Sequence, residues 1–134
     1  MNLIKNNKGF SLSELLIVIV VIGILLTLAV PKYLSVTRKA KETEAKLMLN
    51  QVYALQESYY YEYDIYSNEL LEIGFEQQKL ITDGGKARYL IEIEKADEFV
   101  FIATATSIVD FDKDGTYNIW EVNQEGKIKI RIPD

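Results

Sequence analysis

Two hydrophobic periods divide this chain. From Leu15 to Val30 every residue is apolar or small except Thr27, so a helix here has no polar face. Phe10 to Val30 is 21 residues, which at about 1.5 Å per residue spans roughly 30 Å, the thickness of a bilayer core. Beyond Pro31 the pattern becomes one-sided. Ala45, Met48, Val52, Leu55 and Tyr59 recur at spacings of three and four, and Arg38, Lys39, Lys41, Glu42, Glu44 and Lys46 fall on or beside the opposite face. No glycine interrupts Lys32 to Tyr66, so one helix is expected from Ser11 to about Tyr63. Gly23 and Pro31 are its weak points: proline lacks an N–H and crowds the preceding turn, which predicts a kink or a local loosening there. Both are tolerated in membrane helices.

After residue 88 the period drops to two. Tyr89, Ile91 and Ile93 alternate with Leu90, Glu92 and Glu94, and strands are expected at 99–106 and 117–122. Ile128, Ile130 and Ile132, set against Lys127, Lys129 and Arg131, predict a fourth strand with one apolar face. Turns at 95–97 and 123–126 join the first and last pairs. Between helix and strands, Ser67-Asn68 offers an N-cap for a short helix at 69–73 closed by Gly74, and 75–87 reads as a loop. Tyr59, Tyr60, Tyr61, Tyr63 and Tyr66 cluster at the helix end, where aromatic packing against a sheet accounts for them. The whole predicts an α+β fold in which a four-stranded antiparallel meander buries the apolar stripe of one long N-terminal helix.

The N-terminus combines Lys5 and Lys8 with the apolar run. The run is longer than that of a secretory signal, and Pro31-Lys32-Tyr33 follows it rather than a small-residue cleavage site. It reads as a single-pass anchor, and the two lysines place its N-terminus in the cytoplasm. Glu14 does not fit a plain anchor. A carboxylate costs about 2.5–3.5 kcal/mol at a membrane centre, less near the interface, and intramembrane charges are usually paired.

Lys8-Gly9-Phe10, Glu14 four residues on, and an apolar helix running to Pro31 together resemble the prepilin N-terminus of type IV pilins and type II secretion pseudopilins. The resemblance implies that a membrane-embedded prepilin peptidase cuts between Gly9 and Phe10 and that the new amine of Phe10 is methylated. It implies that Glu14 meets the N-terminal amine of a neighbouring subunit, so Phe10 and Glu14 are the expected assembly residues. Ser11 stands where threonine is common in the family. The expected organisation is then a leader at 1–9, an anchoring and assembly helix at 10–31, and a periplasmic or extracellular head at 32–134. The expected function is that of a homopolymeric filament subunit, handled by inner-membrane assembly machinery and held in membrane lipid until it joins a surface filament or periplasmic pseudopilus. The alternatives are the major pseudopilin of a type II secretion system and a membrane-anchored binding module that does not polymerise.

Composition narrows the chemistry. Among 134 residues there is no cysteine and no histidine, which excludes disulfides, thiol nucleophiles, Cys/His zinc sites and histidine-dependent triads. The net charge of −5 argues against a nucleic-acid partner, and no enzyme is expected. One candidate chemical site stands out. Asp110 to Glu121, DFDKDGTYNIWE, fits the calcium-loop template D-x-D-x-D-G-x5-E, with Asp110, Asp112, Asp114, Thr116 and Glu121 as candidate Ca²⁺ ligands. The flanks read as strands rather than the helices of an EF-hand, and Glu121 alternates with Tyr117 and Ile119. A solvated acidic turn accounts for the same residues, so no cofactor is required and Ca²⁺ in this loop is one of two readings.

Overall fold

The computed structural model describes residues 8–133. Lys5 and the rest of the expected leader before Lys8 lie outside them. Helix α1 runs from Leu12 to Tyr63 without a break through Gly23 and Pro31. Four strands follow: β1 (Tyr89–Ala96), β2 (Phe101–Ser107), β3 (Ile119–Asn123) and β4 (Lys129–Ile132). They form one antiparallel sheet in the order β1-β2-β3-β4, the α+β arrangement with a meander that the alternation predicts. The chain divides into two compact units, one ending at Thr37 and one beginning at Arg38.

In the second unit, Ala45, Leu49, Val52 and Gln56 of α1 are fully buried. Leu55 and Tyr59 of the expected stripe are only partly so, because the face that meets the sheet follows the positions i, i+4, i+7 and i+11. Ala103 and Ala105 of β2 are fully buried beneath this face, and Phe75, Tyr89, Ile91, Phe101 and Val122 fill the remaining core. Gln56 is polar and lies outside the apolar pattern. Its Nε2 donates to the Ser67 carbonyl at 2.7 Å, while the Ser67 N–H donates to its Oε1 at 3.0 Å. A buried amide satisfied at both ends in this way costs little and fixes the chain leaving the helix. Gln77 does the same for the outer edge of β1, donating to the Tyr89 carbonyl and accepting from the Ile91 N–H. That amide blocks part of an edge otherwise open to pairing.

Three expectations need correction. Residues 69–73 form turns rather than a helix. Ser67 Oγ accepts from the Glu69 N–H and donates to Glu72, and bonds from Gly74 N to Leu71 O and Phe75 N to Leu70 O close the segment. So short a piece gains too few helical bonds to offset nucleation. The 75–87 loop contains a 3₁₀ turn at Ile81–Asp83. Finally, the isoleucines of β4 do not mark a buried face: Ile130 and Ile132 remain 40% and 38% exposed. β4 is an edge strand, and the bulge between Ile119 and Trp120 shifts its register. The turn before it is pinned instead by Gly126, at φ +71°, where a Cβ would fall 2.9 Å from the Tyr53 ring.

Candidate assembly site

The start of α1 is built by its own sequence. Leu12 is the first helical residue, which makes Ser11 the N-cap and Glu14 the third helical position. Ser11 Oγ accepts from the Glu14 N–H at 3.3 Å, and the Ser11 N–H donates to Glu14 Oε2 at 2.8 Å. This is a capping box, with each residue satisfying an orphan donor of the other. Sequence reasoning treated Glu14 as an assembly residue and missed this second role, although the signal, S-x-x-E before an apolar run, is plain in Ser11 to Glu14.

The peptide between Gly9 and Phe10 lies just outside the helix, in neither helix nor strand. Phe10 is 91% exposed, and among the described residues no heavy atom beyond the adjoining chain lies within 4 Å of where a Gly9 Cβ would be. Beyond Glu14, each large apolar side chain from Leu15 to Val30 is 49–71% exposed. This stretch is long and apolar enough to cross a membrane. Within it the Thr27 hydroxyl donates to the Gly23 carbonyl at 2.8 Å, so the one polar side chain is satisfied by its own helix. A surface of this kind is stable only against lipid or against other helices.

The acidic loop belongs to the second unit. Asp110, Asp112 and Asp114 place carboxylate oxygens within 4.8 Å of one another. Those oxygens already serve the loop's backbone. Asp110 accepts from Lys113 N–H at 2.6 Å and Gly115 N–H at 2.7 Å, Asp112 from Asp114 N–H at 3.1 Å, and Asp114 from Thr116 N–H at 2.7 Å. Arg38 lies 3.7 Å from Asp112. Glu121, the twelfth position of the template, is in β3, where it binds Lys129 at 2.9 Å and Arg131 at 2.5 Å. The strand directs its side chain to β4 and away from the loop, so the complete twelve-residue chelate does not fit this backbone. What the structure does bring together is the aspartate trio. Phe111 anchors the loop, its ring 6.3 Å from Tyr89 and beneath the Lys41 ammonium.

Glu121, Arg131 and Glu94 form a second charged group on the sheet. Arg131 spans from β4 to Glu121 and on to Glu94 of β1, at 2.7 Å. Burial works to raise the Glu121 carboxyl, but hydrogen bonds from Lys129 and Arg131 outweigh it and hold the group below its ordinary value. The Arg131 hydrogen bond likewise lowers Glu94.

The comparisons bear on the N-terminus first. A family model described as the prokaryotic N-terminal methylation motif matches residues 4–30. The type IV major pilin protein PilA of Myxococcus xanthus is 41% identical over 73 residues, 54% of this chain and 33% of that protein, so the match spans about a third of that relative. The type IV major pilin protein PilE of Neisseria gonorrhoeae is 29% identical over 123 residues, 91% of this chain and 71% of the relative. A fimbrial protein of Pseudomonas aeruginosa is 31% identical over 106 residues, 75% of this chain and 69% of the relative. With the methylation motif at its start, a long helix on a four-stranded meander behind it, and relatives matched along most of its length, this chain belongs to the type IV pilin family.

Proposed function

We propose that this chain is the structural subunit of a type IV pilus or closely related filament. It is anchored in the inner membrane with its N-terminus cytoplasmic, cut between Gly9 and Phe10 by a prepilin peptidase, methylated on Phe10, and polymerised with identical copies through its N-terminal helix. The assembly machinery and membrane lipid are its other partners, and it has no catalytic role. The observation that carries this reading is a carboxylate, Glu14, at the head of a helical surface whose large apolar side chains are all uncovered.

The chemistry follows from the cut. Cleavage leaves the apolar run on the mature chain and creates a cation, the Phe10 amine, just ahead of a helix N-terminus. The partial positive charge of that end disfavours a second positive charge. A neighbour displaced along the axis supplies Glu14 as its counter-ion, and in a low dielectric the pair sets the register between subunits. The acidic loop needs no Ca²⁺ in this scheme, in which Glu121, the twelfth position of the template, is held by Lys129 and Arg131.

The test compares wild type with Glu14→Ala and Glu14→Gln, each expressed with the native machinery. Intact mass scores leader removal and methylation, and shearing scores surface filaments. Glutamine can keep the capping box but not the charge. Both variants should be cleaved at Gly9–Phe10 and should lose filaments at least tenfold. Wild-type filaments from Glu14→Gln would refute charge pairing. A cleaved wild type that sheds no long filament would favour a short pseudopilus, and an uncleaved wild type would leave only an anchored binding module.

A further inference from the structure

Between Lys46 and Lys79 the chain has no lysine or arginine, yet it carries Glu57, Glu62, Asp64, Glu69, Glu72 and Glu76. Those six carboxylates alone exceed the chain's whole net charge of −5. The fold gathers Glu57, Glu62, Asp64, Glu69 and Glu72 towards one end of the second unit, whereas Glu76 lies beside Gln77, which is bonded to Tyr89 and Ile91 of β1. Tyr66 N–H donates to the Asp97 carbonyl and Asn68 Nδ2 to the Ala96 carbonyl, tying the turns after α1 to the β1–β2 turn with Asp97 and Glu98. At the same end Tyr61 is 83%, Leu71 78% and Phe99 78% exposed. An aromatic and aliphatic patch with a charged rim of one sign is the anatomy of a protein interface. The charge of Glu62 holds the neighbouring Tyr63 hydroxyl above its ordinary value, consistent with a negative field there.

The complementary charge lies further back on the same helix. Arg38 is paired with Asp112 of the acidic loop and Glu44 with the Arg88 backbone and guanidinium, which leaves Lys39, Lys41 and Lys46 against Glu42. Lys41 and Lys46 lie over the rings of Phe111 and Trp120, and Lys39 is exposed. Leu47 is 64% exposed beside them, at a shallow groove that includes Ala40, Thr43, Gln51 and Gln78. Positions 39 and 62 are 23 residues apart on one α-helix, about 35 Å along its axis, so they cannot meet within one molecule.

We propose that the acidic, aromatic end of one subunit docks on the basic 38–47 segment of a second copy shifted along the helix axis. This rests on the filament reading, in which copies are displaced along that axis, and it names a head contact that the Glu14 pair does not supply.

The test uses the full chain in its native machinery. Glu62→Lys with Glu69→Lys should reduce sheared filaments at least tenfold, as should Lys39→Glu, with thermal melting of each purified variant unchanged. Combining Glu62→Lys, Glu69→Lys and Lys39→Glu should restore filaments to within threefold of wild type. Because the chain has no cysteine, Lys39→Cys with Glu62→Cys should give a ladder of multimers with a short bismaleimide, whereas each single variant should stop at dimer. Reversal variants that assemble normally, or a ladder that fails to form in filaments, would overturn the proposal and leave the filament reading intact. Loss without recovery in the combined variant would overturn it in favour of a different basic partner. A wild type without filaments would overturn both readings.

Discussion

Replacing Arg131 by alanine tests whether the C-terminal strand is held by charge rather than by burial. All four residues of β4 are exposed, and its register with β3 covers only three pairs. Arg131 gives it a second attachment, with Nε on Glu121 and Nη2 on Glu94. The Glu121 side chain is 15% exposed, so its charged hydrogen bond contributes about 1.5–2 kcal/mol. Glu94 is 51% exposed, and solvent screening holds that arm to about 0.5 kcal/mol. Lys129 stays on Glu121 at 2.9 Å and limits the penalty of the variant. The expected loss is about 2 kcal/mol, or a Tm lower by roughly 8–16 °C for a domain of this size. Circular dichroism melts of the full chain in detergent would measure it.

The pH dependence carries its own sign. Both carboxyls are held below their ordinary value in the folded state, so their contribution is complete above the unfolded pKa near about 4.3 and is lost as pH falls through the lower folded value. The gap between wild type and Arg131→Ala should stay constant from about pH 5 to 7 and begin to narrow as pH falls below the unfolded value. A variant within about 0.5 kcal/mol of wild type, or a gap that widens as the pH is lowered, would refute the reasoning.

Two further outcomes follow from the second unit. Calcium at millimolar concentration should move the melting temperature by less than about 2 °C, because Glu121, the twelfth position of the template, is bound to Lys129 and Arg131; a larger rise, abolished by Asp112→Asn, would show a working chelate. Asn118 is fully buried, and its Oδ1 and Nδ2 find no partner among the described residues. Removing an unsatisfied buried amide relieves about 1–3 kcal/mol, so Asn118→Leu should melt at or above the wild-type temperature, and a fall of more than about 5 °C would contradict that assignment.

What the sequence made legible was periodicity. The helix was readable because its apolar positions repeat without glycine over its whole one-sided half, and the meander because alternation and the Asn123–Gly126 turn recur at the right spacing. The features that escaped are those in which a side chain stands in for backbone. Gln56 and Gln77 complete backbone pairing for partners 11 to 14 residues away, and no local pattern announces that. Ser67 looked like a helix cap because the same hydroxyl geometry serves a tight turn, and only the bonds onward to Glu72 and Gly74 decide between them. Glu121 matched a metal template by spacing alone, while the strand it sits in turned it towards Arg131.

Glu14 shows why one residue can carry two roles at the start of the chain. A carboxylate has two oxygens, and the capping box uses Oε2 on the Ser11 N–H. The remaining lone pairs stay free to accept a charged amine from outside without breaking the cap. Before cleavage the carboxylate complements its own helix end, where a negative charge in the first turn is favourable. The proposed cleavage would place the Phe10 amine two residues ahead of the first helical residue and shift that balance towards positive. A second negative charge would then become favourable at each helix start, and in the proposed polymer of identical chains Glu14 is the group that would provide it. On the proposed function, peptide cleavage would change the electrostatics of a helix end already formed, and assembly would proceed without refolding it.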